Sequence, residues 1–241
     1  MTTQLFSSSV AAQRRPGSRH DRDYFPTPPW ATRAVLPILR RIDPDIGLRV
    51  IWEPAAGQGH MAVPLAESGA VVVASDIEVR PWAAAARDAL LQTGGALVPV
   101  PLDFLKARDI TVAADWVITN PPFNRAAKFV ARGLEVAHRG VAVLVRTAWA
   151  EGAGRYESLF RDRPPTLIAQ YVERVPMTVG RWDPAATTAT AYAWFIWDQL
   201  SPFGATQLCW IPPGQKAALH RADDVFRFDA GQASPLFPAQ V

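Results

Sequence analysis

The sequence predicts an α/β protein, with a doubly wound, mostly parallel sheet and an antiparallel hairpin at one edge. Three observations carry that expectation. Between about residues 48 and 147, short continuously apolar runs alternate with stretches of helical period, as expected of strands buried on both faces and their covering helices. The glycine turn Gly57-Gln58-Gly59 separates the first such run from a helical stretch, as in sheets that bind a ligand at their strand ends. Late in the chain, apolar runs near 166–175 and 189–198 follow one another with no helical pattern between them, which reads as a hairpin.

The elements follow in order. Residues 1–22 are rich in Ser, Gln and Arg without apolar period and read as a mobile leader, leaving 23–241 as one domain. A helix is expected from about Pro29 to Arg41, with Thr27 suited to cap it and Pro28 to its first position, where a missing N–H costs nothing. Strands are expected near 48–53, 70–75, 96–101, 115–119 and 141–147, and helices near 59–68, 80–92 and 125–138. A helix near 154–162, the hairpin strands, a strand near 206–211 and a proline-containing tail complete the chain. It contains no internal repeat.

Composition bounds the function. At 241 residues, 49% hydrophobic and 20% charged, the chain can bury a full core. One cysteine, Cys209, excludes an internal disulfide framework, and the four histidines have no metal-ligand spacing, so no metal is expected. No apolar run reaches membrane-spanning length and no signal-peptide core is present, so a cytoplasmic protein without a membrane partner is expected. A net charge of +3 with a pI near 9.3 fits a nucleic-acid partner without demanding one. Arginines cluster at Arg14, Arg15, Arg19 and Arg22, at Arg155, Arg161 and Arg163, and at Arg174 and Arg181, and guanidinium groups suit bidentate phosphate contact.

Asn120-Pro121-Pro122-Phe123 directly follows the apolar run Trp116-Val117-Ile118-Thr119. A planar exocyclic amine is a poor nucleophile because its lone pair is delocalised into the ring. The Asn120 side-chain oxygen, with a backbone carbonyl held outward by successive prolines, suits acceptance of both amine hydrogens, favouring a tetrahedral nitrogen that attacks a methyl sulfonium. Phe123 offers a face on which an extruded base stacks. The same tetrapeptide also suits an ordinary strand-to-loop exit.

Upstream, Val50-Ile51-Trp52-Glu53-Pro54-Ala55-Ala56-Gly57-Gln58-Gly59 reads as a strand, an acid at its end and a glycine turn. Gly57 and Gly59 permit positive φ and close backbone approach. The three-glycine dinucleotide fingerprint is missing, and a carboxylate at Glu53 repels pyrophosphate but suits an ammonium or sulfonium. S-adenosylmethionine carries both cations. Asp76 ends the next strand, placed to accept ribose hydroxyls or to cap a helix, and Asp103-Phe104 follows the third, suited to an adenine amine and ring or to a turn and the core.

In this order the motifs resemble the class I S-adenosylmethionine-dependent methyltransferases, and within them the N6-adenine DNA methyltransferases of gamma-type motif order, over about residues 23–198. The resemblance implies a Rossmann-like class I methyltransferase fold, S-adenosylmethionine as cofactor and DNA as substrate. It places Tyr24, Thr27, Glu53, Pro54, Ala55, Gly57, Gly59, Asp76, Ile77, Asp103, Phe104 and Asn120 around the cofactor, and Asn120, Pro121, Pro122 and Phe123 at the chemistry. Asp23-Tyr24-Phe25-Pro26-Thr27-Pro28 resembles the segment that closes over the methionine end. Adenine in RNA and the amide of a protein glutamine are alternative substrates of the same chemistry, although glutamine-directed relatives favour Tyr where Phe123 stands. A non-catalytic protein retaining the fold has no need of both motifs. No segment is long enough for a separate recognition domain, so DNA reading falls to loops or a partner. The loop 177–190 is the best candidate, with Arg174, Arg181 and Trp182 expected at nucleic acid, or with Trp182 folded back on the core.

Overall fold

The computed structural model describes residues 24–98, 100–107, 112–201 and 204–228. Eight strands form one sheet: β1 (Val50–Glu53), β2 (Val71–Ala74), β3 (Ala96–Leu97), β4 (Ala114–Thr119), β5 (Ala137–Arg146), β6 (Leu167–Tyr171), β7 (Tyr192–Asp198) and β8 (Gln207–Ile211), in the order β3-β2-β1-β4-β5-β7-β6-β8. The pairings from β3 through β5 are parallel, β7 runs antiparallel to both its neighbours, and β8 pairs parallel with β6. The sheet is therefore mostly parallel with a late antiparallel hairpin, as expected, and β8 adds one strand beyond it.

The continuously apolar strands are explained by two cores. Ala142 and Leu144 of β5 and Trp194 and Ile196 of β7 pack on one face, while Val141, Val143 and Val145 with Ala193, Phe195 and Trp197 pack on the other. Period-two side-chain alternation sends successive residues to opposite faces, so a strand covered on both sides has no polar register. The first face is covered by α1 (Pro29–Ile42), α2 (Ala62–Ala66) and α3 (Ala84–Gln92), and the second by α4 (Ala126–Val136).

Several expectations are corrected. β5 starts at Ala137, earlier than its apolar run, because it pairs with β4 from Ala137 opposite Ala114, and with β7 from Gly140 opposite Asp198. There Gly140 is required, since a Cβ would meet the Trp197 carbonyl and the Trp116 ring. β3 is shortened to Ala96–Leu97. The helix near 154–162 is a short α5 (Ala153–Arg155) running into a π-turn over Tyr156–Phe160. The tail contains α6 (Gln215–Leu219) and α7 (Ala222–Arg227). These helices are too short to display a period. α7 is held by a contact remote in sequence, as the Arg33 guanidinium donates to both oxygens of the fully buried Asp224 at 2.7 Å. Bidentate geometry and a second carboxylate, Glu67, which also binds Arg33, Arg221 and Arg227, offset the desolvation of that pair.

The topology fixes where a ligand binds. β1 leads outward to β2 and β3 on one side while β4 lies on the other, so the strand order reverses between β1 and β4. A crevice opens at the carboxyl ends of such strands. Glu53 ends β1, and Asn120 directly follows β4. Among the described residues no helix is long and apolar enough to cross a membrane.

Candidate active site

A cavity of about 500 Å³ opens at this reversal, within the size range of roughly 300–1,000 Å³ common for small-molecule sites. The ends of β1, β2 and β4 and the segment ahead of α1 all reach it. The structure brings Tyr24, Thr27, Glu53, Pro54, Ala55, Asp76, Ile77, Asp103, Phe104, Asn120, Pro121, Pro122 and Phe123 to its wall. Asp23 and the leader lie outside the described residues.

Gly57 and Gly59 stand behind the wall, at φ 53° and 86°. A Cβ on Gly57 would enter the Tyr24 ring and one on Gly59 the Trp82 ring. Trp82 is in turn fixed by donating its indole N–H to the Gly57 carbonyl at 2.8 Å. The glycines thus let two aromatic rings close on the loop, and Tyr24 is further held by Gln58, which accepts its phenol O–H at 3.0 Å. Arg80, ion-paired to Glu78 at 2.8 Å, lies 4.2 Å over the Tyr24 ring.

Three acids occupy distinct environments. Glu53 is 2% exposed and its Oε2 has no hydrogen-bond partner. Burial, then the neighbouring charge of Asp76, raises its carboxyl well above the ordinary value, against a backbone N–H from Ala62. Asp76 accepts the Gly57 N–H at 2.8 Å and the Glu78 N–H at 2.9 Å, which ties the second strand to the glycine turn. Burial raises its carboxyl too, opposed by those two bonds. Asp103 accepts the Leu105 N–H at 3.1 Å, and Phe104 meets Trp52 edge-on at 5.0 Å. Glu53 and Asp76 both line this wall, and a cation bound beside them would draw their raised carboxyls back toward the ionised form, so this set of acceptors fits the ammonium of an amino acid.

The Asn120 side-chain nitrogen donates to the Phe25 carbonyl and to the Thr27 hydroxyl, each at 3.0 Å, and approaches the Met177 sulfur at 3.4 Å. A carbonyl only accepts, so this contact fixes which way the amide points. Thr27 therefore serves Asn120 rather than the helix: the cap position of α1 is Pro28, Pro29 takes the first helical place, and no side chain caps it. The Pro122 carbonyl turns back to accept the Arg125 N–H at 2.8 Å. Phe123 packs at 5.0 Å from the Phe25 ring, with the Arg146 guanidinium 4.6 Å over its own ring.

Sequence reading missed His60, Met61, Glu78, Arg80, Leu102, Asn124, Arg125 and Phe129 in the wall, and Arg146 beside Phe123. Position was the available signal for two of them: His60 immediately follows the glycine turn, and Arg146 ends β5, the strand beside β4. Trp182 turns inward onto His60 and Phe228, at 6.0 and 6.1 Å between ring centres. Arg174 and Arg181 are exposed and away from the wall.

No protein-family model matches the sequence, and no curated protein matches it. Solved structures do. A candidate class I S-adenosylmethionine-dependent methyltransferase from Listeria monocytogenes is 14% identical with a TM-score of 0.53, over 84% of this chain and 71% of that one. A candidate RNA methyltransferase from Pyrococcus horikoshii is 16% identical with a TM-score of 0.53, over 77% and 92%. The type I restriction-modification methyltransferase subunit from Streptococcus thermophilus is 13% identical with a TM-score of 0.53, over 74% of this chain and 45% of the subunit. This chain thus spans less than half of that subunit. At such identities the likeness is one of fold, and the fold is that of the class I methyltransferases.

Proposed function

We propose that the protein is an S-adenosylmethionine-dependent methyltransferase that methylates an exocyclic amine, specifically N6 of adenine in DNA. The observation that carries the reading is the orientation of Asn120. Its N–H groups are committed to Phe25 and Thr27, which leaves Oδ1 as the acceptor at the cavity wall.

When bound, S-adenosylmethionine supplies an electrophilic methyl group on a sulfonium. Glu53 and Asp76 would hold its ammonium and ribose, and Asp103 with Phe104 its adenine. Asn120 Oδ1 accepts one hydrogen of the substrate amine, and the Pro121 carbonyl, which accepts no backbone hydrogen bond among the described residues, is available for the other. Drawing both hydrogens into acceptors localises the nitrogen lone pair. The amine would take up the methyl group supplied by the sulfonium and give up one proton past these acceptors to solvent. Because the Asn120 nitrogen is already bonded, the amide needs no reorganisation as charge develops.

A nucleic-acid substrate is supported by Phe123, a cavity-wall ring suited to stacking an extruded base, with a guanidinium beside it suited to a phosphate. The test is incubation with labelled cofactor and DNA, RNA or cell extract, followed by digestion and mass analysis. N6-methyladenine from DNA is the expected product, whereas label in RNA or in protein glutamine reassigns the substrate. No label anywhere, with no ligand binding, overturns the reading.

A further inference from the structure

β8 ends the sheet and pairs with β6 on one side only. Its ladder shows which backbone groups are left over. The Gln207 N–H donates to the Thr166 carbonyl at 3.0 Å, and the Ile211 carbonyl accepts the Val172 N–H at 3.2 Å, so Gln207, Cys209 and Ile211 bond toward β6. Successive residues of a strand direct their backbone groups to opposite sides, so the N–H and C=O of Leu208 and Trp210 point outward from the sheet edge.

The side chains of those two residues are bare as well: Leu208 is 59% exposed and Trp210 62%. In register with Ile168 and Gln170, they lie on the face where Phe160 stacks on Phe195 of β7, and that face is left open at β8. An open edge is a template for another strand and is ordinarily blunted by a lysine, a proline or a bulge. Gln207-Leu208-Cys209-Trp210-Ile211 has no charge and no proline, and its register with β6 is unbroken.

This edge is complementary to itself. In an antiparallel pair centred on Cys209, Leu208 stands opposite Trp210 of the other copy, and these are the residues whose free backbone groups point outward. They can exchange both hydrogen bonds while leucine packs on indole. A two-fold axis brings every charge on a strand to its own mirror position, a conflict that a neutral strand avoids. Pro212, which would fall opposite Thr206, has no N–H to continue the ladder, so the pairing is confined to β8 in both copies.

We propose that β8 is a self-association surface, on which a second copy of this chain pairs its own β8 antiparallel about Cys209 and carries the sheet across a two-fold axis. β6, β7 and β5 lie between β8 and β4, so the surface is set apart from the cavity, and the proposal stands independently of the methyltransferase reading.

The test uses the full chain. Wild type should sediment as a reversible dimer at micromolar concentration, a weak one because the interface is small. Cys209 is the sole cysteine and reports the register. The Cα atoms of directly opposed, non-hydrogen-bonded residues lie about 4.5 Å apart, within disulfide reach. Oxidation by copper–phenanthroline and oxygen should therefore give a covalent dimer that a thiol reductant reverses. Leu208→Lys with Trp210→Lys should weaken the dimer at least about tenfold, since like charges then face one another, and Leu208→Glu with Trp210→Glu should do the same. An equal mixture of the two variants should restore a heterodimer, because each lysine then faces a glutamate. Both positions are exposed, so the circular dichroism of the variants should match wild type. Wild type that sediments as a monomer throughout the series overturns the proposal. So does a dimer that survives the double lysine substitution, or one that oxidation leaves uncrosslinked at Cys209, since each places the interface elsewhere. The two wild-type measurements decide the matter even if the charged variants fail to fold.

Discussion

The Asn120 side-chain nitrogen lies 3.0 Å from the Thr27 hydroxyl oxygen, so residues 93 apart in the chain hold one amide in place. The contact joins the segment before α1 to the end of β4, and makes the wall of the cavity and the orientation of the Asn120 amide a single structural unit.

Removing the acceptor is the direct test. Asn120→Ala should lower single-turnover methyl transfer by at least about a hundredfold, the scale seen when one preorganised polar group is lost. S-adenosylhomocysteine affinity should change little. Thr27→Val keeps the shape but removes the hydroxyl, and should cost about tenfold in the same rate, since the Phe25 carbonyl still orients the amide. Near-normal rates in Asn120→Ala would end the proposed mechanism.

Gly59→Ala should destabilise the fold and impair ligand binding together. The residue sits at φ 86°, and its new methyl would enter the Trp82 ring. Left-handed strain of about 1–2 kcal/mol adds to overpacking of about 1–3 kcal/mol. Gly94→Ala is the control, at φ 77° with nothing within 4 Å of the added atom. Denaturant unfolding of the two variants separates strain from collision, and equal losses would mean that the Trp82 ring simply moves aside.

Glu53→Gln tests the buried acid through pH. A carboxyl raised in the folded chain binds its proton more readily folded than unfolded. Its contribution to stability is complete below the ordinary value of 4.5 and is lost as pH rises through the raised value. Glu53→Gln should therefore be more stable than wild type at neutral and alkaline pH, by roughly 1–3 kcal/mol for relief of a buried unsatisfied charge. The gap should close as pH falls toward 4.5. Asp76, whose charge helps to raise Glu53, is coupled to it, so Asp76→Asn in both backgrounds separates its titration from that of Glu53. The variant should bind S-adenosylhomocysteine more weakly. A stability gap that does not vary with pH would mean that Glu53 does not titrate in the fold.

What was legible in the sequence is what chemistry confines to a few adjacent residues. Glu53 through Gly59 and Asn120 through Phe123 each complete a strand end and a turn within a handful of positions, and both strand ends reach one crevice because parallel strands end at the same edge. Thr27 was legible as to place but read as a helix cap, because its partner is far away in sequence. Trp182 could be read either as a nucleic-acid contact or as folded back on the core, and it is folded back, while His60 went unread for a related reason. A histidine after a glycine turn and a tryptophan in a loop acquire meaning only when Phe228, from the far end of the chain, packs against both. α7 itself depends on the Arg33–Asp224 pair, which no local pattern encodes.

Phe123 and Arg146 should separate base capture from phosphate contact. The exposed guanidinium lies 4.6 Å over the Phe123 ring, so an incoming base must share or displace it. Phe123→Ala removes the stacking face and should cost about 1–3 kcal/mol, chiefly as a raised KM for DNA. Phe123→Tyr should retain much of the activity, since its ring still stacks. Arg146→Ala leaves the ring but removes a cation, so DNA binding should weaken and its salt dependence should lessen by about one unit of slope. Fluorescence anisotropy with labelled DNA across a salt series measures the second effect, and steady-state kinetics the first. If Arg146→Ala binds more tightly with an unchanged slope, the guanidinium acts as a cover over the ring, and phosphate contact must be sought at other arginines.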